Sequence, residues 1–278
     1  MYYLEGCSNM EQEKVLEIIR INPHAIAHIS QPTDEMKMLA LCKNGLTLQH
    51  INSPSREMQL AAIENNARAI QFVADPTPEM MTKAIMDGWI NLEYIKNPPD
   101  DLLKLAVNQA GWAIKYAPDP SEDLQLLAVG KNYDAIRFIA NPSETVQQAA
   151  VMQSYETLRY IKAPSPETEK LAIRQNEQAI RLVNDLNKAK LLMLLKENIL
   201  VLNYVVHQPE VTLAELEQIL QQVLADEATP EKYIRDFLNC NCIDKHSERF
   251  SLDKLMFLYR YGSRQAKRIA IDEKLKMK

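Results

Sequence analysis

Hydrophobic positions recur along this chain with a period of 22 residues, in a frame marked by Pro32, Pro54, Pro76, Pro98, Pro120, Pro142 and Pro164. Counted from each proline, the ninth position is always alanine: Ala40, Ala62, Ala84, Ala106, Ala128, Ala150 and Ala172. The tenth is Leu, Ile or Val, and the seventeenth is Leu or Ile. The nineteenth reads His50, Phe72, Tyr94, Tyr116, Phe138, Tyr160 and Leu182. The fifth is Met36, Met58, Met80, Leu102, Leu124 and Val146, with Thr168 as the exception. Apolar spacings of three to five residues early in the unit, and of three later, predict two short helices joined by a tight turn. The first has about ten residues and the second about seven. Neither is stable alone, so stacked neighbours supply the core, as in a solenoid. The alanine column then marks where adjacent helices come closest.

Polar residues punctuate the same frame. Thr33, Ser55, Thr77, Ser121, Ser143 and Ser165 follow the marker proline as N-caps. Pro78 and Pro166 fall at the first helical position, and an acidic residue comes next in most units. Asn44-Gly45, Asn66, Asp87-Gly88, Gly111, Asn132 and Asn176 lie between the two helices, where a left-handed C-cap is expected. Weaker copies at 10–31 and 186–207 bring the array to about nine units. The expected organisation is a lead-in at 1–9, a repeat array at 10–207 and a helical cap with a basic tail at 208–278. In the cap, helices are expected from about Thr212 to Leu224 and from Thr229-Pro230-Glu231, with one amphipathic stretch from about Ser251 to Ile271.

The segments LALCKNGLTLQHI, AAIENNARAIQFV, LAVGKNYDAIRFI and LAIRQNEQAIRLV carry a common pattern: Ala then Ile or Val, a polar turn, then an apolar pair before an aromatic. This pattern resembles an uncharacterised short helical-repeat family, a domain of unknown function found in bacteria, phages and large viruses. Its organisation is similar to that of leucine-rich-variant repeats. The resemblance covers residues 10–207 and implies an all-α solenoid of about nine helical hairpins. It implies no activity, and it points to a phage or mobile-element origin, where blocking or sequestering a host defence factor would be a use for such a protein.

Composition narrows the classes. The 278 residues carry a net charge of −5 and only six glycines. No basic start with an apolar run precedes the array, and the most apolar segment, Leu191 to Val206, is interrupted by Lys196, Glu197 and Asn198. Cys7, Cys42, Cys240 and Cys242 form no disulfide framework, which suits a reducing cytoplasm. No phosphate-cradling glycine loop, nucleophile elbow or paired-histidine metal motif occurs, so no enzyme and no cofactor is expected. Cys240, Cys242 and His246 lack a fourth ligand, and two ordinary thiols at a helix end explain them better than zinc.

One column changes chemistry along the array. The eighteenth position runs Gln49, Gln71, Glu93, Lys115, Arg137, Arg159, Arg181. Helices about 8–10 Å apart would turn the last four into a basic stripe of roughly 30 Å. Such residues are ordinary on a solvated helix face, and they would also suit phosphates or an acidic protein. Trp89, Trp112, Tyr133 and Tyr155, near the fourteenth position, either pack on the next turn or serve as exposed anchors. From Phe250 onward, eight Lys or Arg face three Asp or Glu, so the tail is basic in an acidic chain. The expected function is protein recognition along the array. Nucleic-acid binding through the stripe and tail is the second choice, and no membrane partner is expected.

Overall fold

The structure, a computed structural model, describes residues 2–205 and 211–276, with side chains for 11–205 and 211–275. The side chain of Cys7 and the expected junction at 207/208 lie outside the described residues. The chain is an all-α repeat solenoid of helix–turn pairs, and it divides into two compact units, Met1–Ile139 and Ala140–Lys278. That division falls inside the repeat array.

The first unit contains α1 (Tyr2–Ile21), α2 (Asp34–Lys43), α3 (Arg56–Asn65), α4 (Pro78–Asp87), α5 (Asp100–Gln109) and α6 (Glu122–Lys131). The second continues with α7 (Glu144–Gln153), α8 (Pro166–Gln175) and α9 (Lys188–Leu195). Each of these nine is followed by a short 3-10 helix, from Pro23–His28 to Ile199–Asn203. The cap then adds α10 (Leu213–Ala225), α11 (Glu231–Asn239), α12 (Lys254–Tyr261) and α13 (Arg264–Lys276). Between α11 and α12, β1 (Ile243–Asp244) and β2 (Phe250–Ser251) pair in parallel.

The first helix of each repeat forms as its sequence dictates. Thr33, Ser55, Thr77, Ser121, Ser143 and Ser165 each accept the backbone N–H three residues on, and Pro78 and Pro166 open α4 and α8. Only α5 lacks this cap among the helices α2 to α8, because Pro99 stands where the others have Ser or Thr. All seven ninth-position alanines are fully buried.

The second helix of the repeat differs from expectation. It is a 3-10 helix of six residues, against an expected helix of about seven whose type the spacing left open. The turn residues explain why. Asn44 (φ −152°), Asn66 (φ −148°), Gly88 (φ −177°), Asn132 (φ −141°) and Asn176 (φ −152°) are extended, not left-handed. An extended residue ends the α-helix. The carboxamides of Asn44, Asn66 and Asn176 then accept the N–H two residues on and start a tighter helix. Positive φ falls instead on Ser53, Asn97 and Asp185, just ahead of the marker position.

This tighter helix moves the core. Residues three apart eclipse in a 3-10 helix, so the seventeenth and twentieth positions share the inner face. Ile51, Val73, Ile95, Ala117, Ile139 and Ile161, all at the twentieth, are buried. The nineteenth is displaced toward solvent: His50, Phe138 and Tyr160 are exposed, while Phe72, Tyr94, Tyr116 and Leu182 are half-buried. His50 is therefore a surface residue.

Successive repeats are clasped by side-chain amides at the end of the first helix. Asn65 accepts from the N–H of Gly45 (2.7 Å) and donates to the carbonyl of Cys42 (2.9 Å). Gln109 does the same to Trp89 N (2.9 Å) and Ile85 O (2.6 Å). Asn132 accepts from Gly111 N, Gln175 donates to Met152 O and Asn198 to Ile173 O. Glycine is required at two of these contacts. A Cβ on Gly45 would lie 2.1 Å from the carbonyl oxygen of Ala62, and one on Gly111 would lie 2.2 Å from that of Ala128.

The cap closes the last repeat with single long-range bonds. Tyr233 donates its buried hydroxyl to Leu195 O (2.8 Å), and Arg249 donates to Leu202 O (2.7 Å) and Val205 O. These carbonyls belong to or follow helix ends, which have no intrahelical partner. Lys188 of α9 pairs with Glu215 of α10 at 2.8 Å. The expected continuous stretch from Ser251 to Ile271 is two helices, because the chain breaks at Gly262-Ser263 and Ser263 N donates to Leu224 O instead. Glu227 then caps α13 by accepting from the N–H of Arg264 and Gln265, which holds its carboxyl below the usual range.

Candidate functional site

With the seventeenth and twentieth positions turned inward, the eighteenth faces solvent, and Lys115, Arg137, Arg159 and Arg181 are all exposed. Lys115 and Arg137 belong to the first unit, Arg159 and Arg181 to the second. None of the four stands as a bare cation. Lys115 Nζ lies 5.5 Å from the ring centre of Trp89 and 4.7 Å from that of Tyr116. Those two rings are 6.5 Å apart and tilted. Arg137 lies over Phe138 (4.8 Å) and 3.5 Å from the carboxylate of Asp134. Arg159 pairs with Glu156 at 3.5 Å, and Arg181 lies over Tyr204 at 4.8 Å. Exposed pairs of this kind contribute about 0–1 kcal/mol each. They do little for stability; the carboxylates beside Arg137 and Arg159 lower the local positive charge, while the rings beside Lys115 and Arg181 hold those cations in place.

The aromatics divide between the two readings of their column. Trp89 is half-buried and packs against Tyr116 of the next repeat. Trp112 reaches forward as well, its indole N–H donating to Asp134 Oδ1 at 2.8 Å, yet 37% of the residue stays exposed. Tyr133 and Phe138, on the 3-10 helix that carries Asp134, are 43% and 39% exposed. Asp134 therefore joins Trp112 to Arg137, and residues 89–138 present a band of rings, cations and a shared carboxylate. Tyr155 is half-buried in the second unit.

A cleft of about 720 Å³ opens beside Lys115 and Tyr116. Leu92, Leu103 and Leu124 supply apolar wall, with Glu93 and Lys104 at its edge. One part of its wall is set by the sixth position of the repeat, which varies from unit to unit. At the sixth position, Gln59, Gln125 and Gln147 donate to the carbonyl of their own marker proline. Leu103 occupies that place in its unit, as Met81 does in the preceding one, and has no such bond to make, so it adds apolar wall to a cleft that Glu93, Asp100, Lys104 and Asp119 also line.

The sequence pointed to the eighteenth column and the tryptophans, but not to their partners. Tyr116, Phe138, Asp134 and Glu156 were missed. The acid–base spacing of three at Asp134–Arg137 and Glu156–Arg159 was a readable signal. The nineteenth column was hidden because an α-helical reading places it in the core.

The thiols of the cap have structural surroundings. Cys240 is buried, and burial pushes its thiol up, away from the thiolate that metals bind. Cys242 Sγ is 3.1 Å from Asn203 Oδ1, and the backbone N–H of His246 donates to Asp244 Oδ1. Among the described residues no group of three or more His, Cys, Asp or Glu is placed to hold a metal ion. Lys254, pushed down by burial, donates to Leu238 O and Cys240 O at the end of α11. No described helix is long and apolar enough to cross a membrane. No protein-family model, curated protein or solved structure matches this chain, so its own geometry carries the functional reading.

Proposed function

We propose that the protein is a non-catalytic recognition scaffold that binds a partner protein along its repeats, with the band around Trp112 as the anchor. The observation that supports this is the pairing of the eighteenth-position cations within each unit. Lys115 and Arg137 lie on aromatic rings, and Arg137 and Arg159 have carboxylates beside them. A surface of exposed rings with cations and anions interspersed suits a protein interface, where aromatics and arginine dominate binding energy. A phosphate backbone is met by unopposed cations, and the chain as a whole is acidic. Blocking or sequestering the partner needs no chemistry beyond such a surface.

The test is purification of tagged protein from its natural background, with and without nuclease. One stoichiometric protein that survives nuclease and moderate salt supports the reading. Trp112→Ala should then weaken that complex by about 2 kcal/mol or more, roughly thirtyfold. Loss of everything on nuclease treatment, with binding abolished by Arg137→Glu plus Arg159→Glu, would replace it with nucleic-acid binding.

A further inference from the structure

The cap carries a second surface, which the repeats do not account for. Helices α12 and α13 each bury one face, through Phe257 and Leu258 on the first and Ala266, Ile269 and Ala270 on the second. Between them runs a furrow of about 360 Å³, floored by the buried Leu258 and Ala270 and walled by Leu255 and Tyr259 of α12 and Ile271 of α13. Tyr259 is 75% exposed and Ile271 61%. Single exposed apolar residues are ordinary, but here they converge on one concavity.

The charge along this furrow has one sign. Lys267 and Lys274 line it, and no acidic residue does. Neither lysine takes part in an ion pair among the described residues. Glu273, on the same helix, is paired with Arg235 of α11. Lys267, Ile271 and Lys274 occupy positions i, i+4 and i+7 of α13, a single face, with the two ammonium groups rooted about 10 Å apart along the axis. Leu255 and Tyr259 stand at i and i+4 on the facing helix. An apolar trough edged by free cations two helical turns apart complements a helix that has apolar residues at i, i+4 and i+7 and carboxylates two turns apart beside them.

We propose that the α12–α13 furrow docks an acidic amphipathic helix from a partner protein. A bilayer is a poorer match. Anionic membranes are bound by an apolar helix face laid flat on the surface, whereas α13 has Ala266 and Ile269 buried within the cap and offers a concavity. This site is independent of the band around Trp112.

The probe is a fluorescent, stapled synthetic helix with leucines at i, i+4 and i+7 flanked by glutamates, titrated into the full chain by anisotropy. A version with lysine for every glutamate is the comparison. The glutamate helix should bind at least about tenfold more tightly, and Lys267→Glu with Lys274→Glu should invert that preference. Ile271→Asp should weaken both helices, and Trp112→Ala should change neither. Thermal melts establish that each variant is folded, and the inverted preference is a gain that unfolding cannot mimic. Equal binding of the two helices, or binding of neither, overturns the proposal. So does self-association removed by Ile271→Asp, which would make a second copy the occupant, or retention on phosphatidylserine vesicles without helix binding.

Discussion

The repeats and the cap are both helical with buried centres, yet they are held together in different ways. In the repeats the same contacts return from unit to unit: a Ser or Thr cap, a fully buried alanine, an amide clasping the preceding turn. In the cap each tie is used once, with Arg249 on Leu202 and Val205, Tyr233 on Leu195, and Glu215 on Lys188. Recurring contacts spread stability over neighbouring units, so a lesion there is felt nearby. One-off contacts tie a whole subassembly to a few side chains, so a lesion there loosens the subassembly.

The largest effect should come from the alanine column. Ala128→Leu overpacks a fully buried position whose carbonyl lies against Gly111, at a cost of about 1–3 kcal/mol. The melting temperature should fall by roughly 2–4 °C per kcal/mol, with a broadened transition. Gly111→Ala should act in the same direction, while Gly88→Ala, where a Cβ meets nothing within 4 Å, should be nearly silent. An unchanged melt for Ala128→Leu would sink the packing assignment.

An effect of comparable size but different distribution is expected from Arg249→Ala. It leaves the carbonyl of Val205 without its Arg249 donor and that of Leu202 with the weak Cys242 thiol at 3.8 Å, a loss of about 1–3 kcal/mol. Amide exchange should accelerate across residues 211–276 and stay unchanged in the first unit. Uniform acceleration through both would erase the distinction between repeat and cap.

The smallest effect belongs to Glu215, which completes a capping box with Thr212. Hydrogen bonds from Lys188, and then from Thr212, hold its carboxyl down at about 2, against an ordinary 4.5. A depressed carboxyl stabilises the folded state fully above its unfolded value and loses that contribution as pH falls through the folded one. Wild type and Glu215→Gln should therefore differ in urea midpoint at neutral pH and converge as pH falls from about 4.5 toward 2. A constant difference across that range would assign the effect to something other than the ionised carboxylate.

The same contrast explains what the sequence made legible. Caps, marker prolines and the alanine column each appear in most units, so a weak one-residue preference becomes a firm assignment by repetition. The second helix escaped because a spacing of three fits α and 3-10 geometry alike; only the buried twentieth column, Ile51 to Ile161, separates them. The cap's helices could be located from Thr212 and Thr229-Pro230, but its ties could not. Arg249 reaches carbonyls 44 and 47 residues away, and no period announces them. At the candidate site the cations and tryptophans were visible as columns. The placement of Lys115 over Trp89, 26 positions earlier in the chain, depends on how two repeats stack.

The amide clasps also set the order in which the molecule can assemble. Each one joins residues only 20 to 25 positions apart. Loops of that length close fast, so folding starts at any adjacent pair and spreads outward like a zip. A chain leaving the ribosome locks each repeat as soon as the next has emerged. The bonds that Tyr233 and Arg249 make back to the array span 38 to 47 residues and involve a segment made after the repeats, so they close after the repeats have formed. Synthesis that stops before Arg249 leaves a zipped array with an open end.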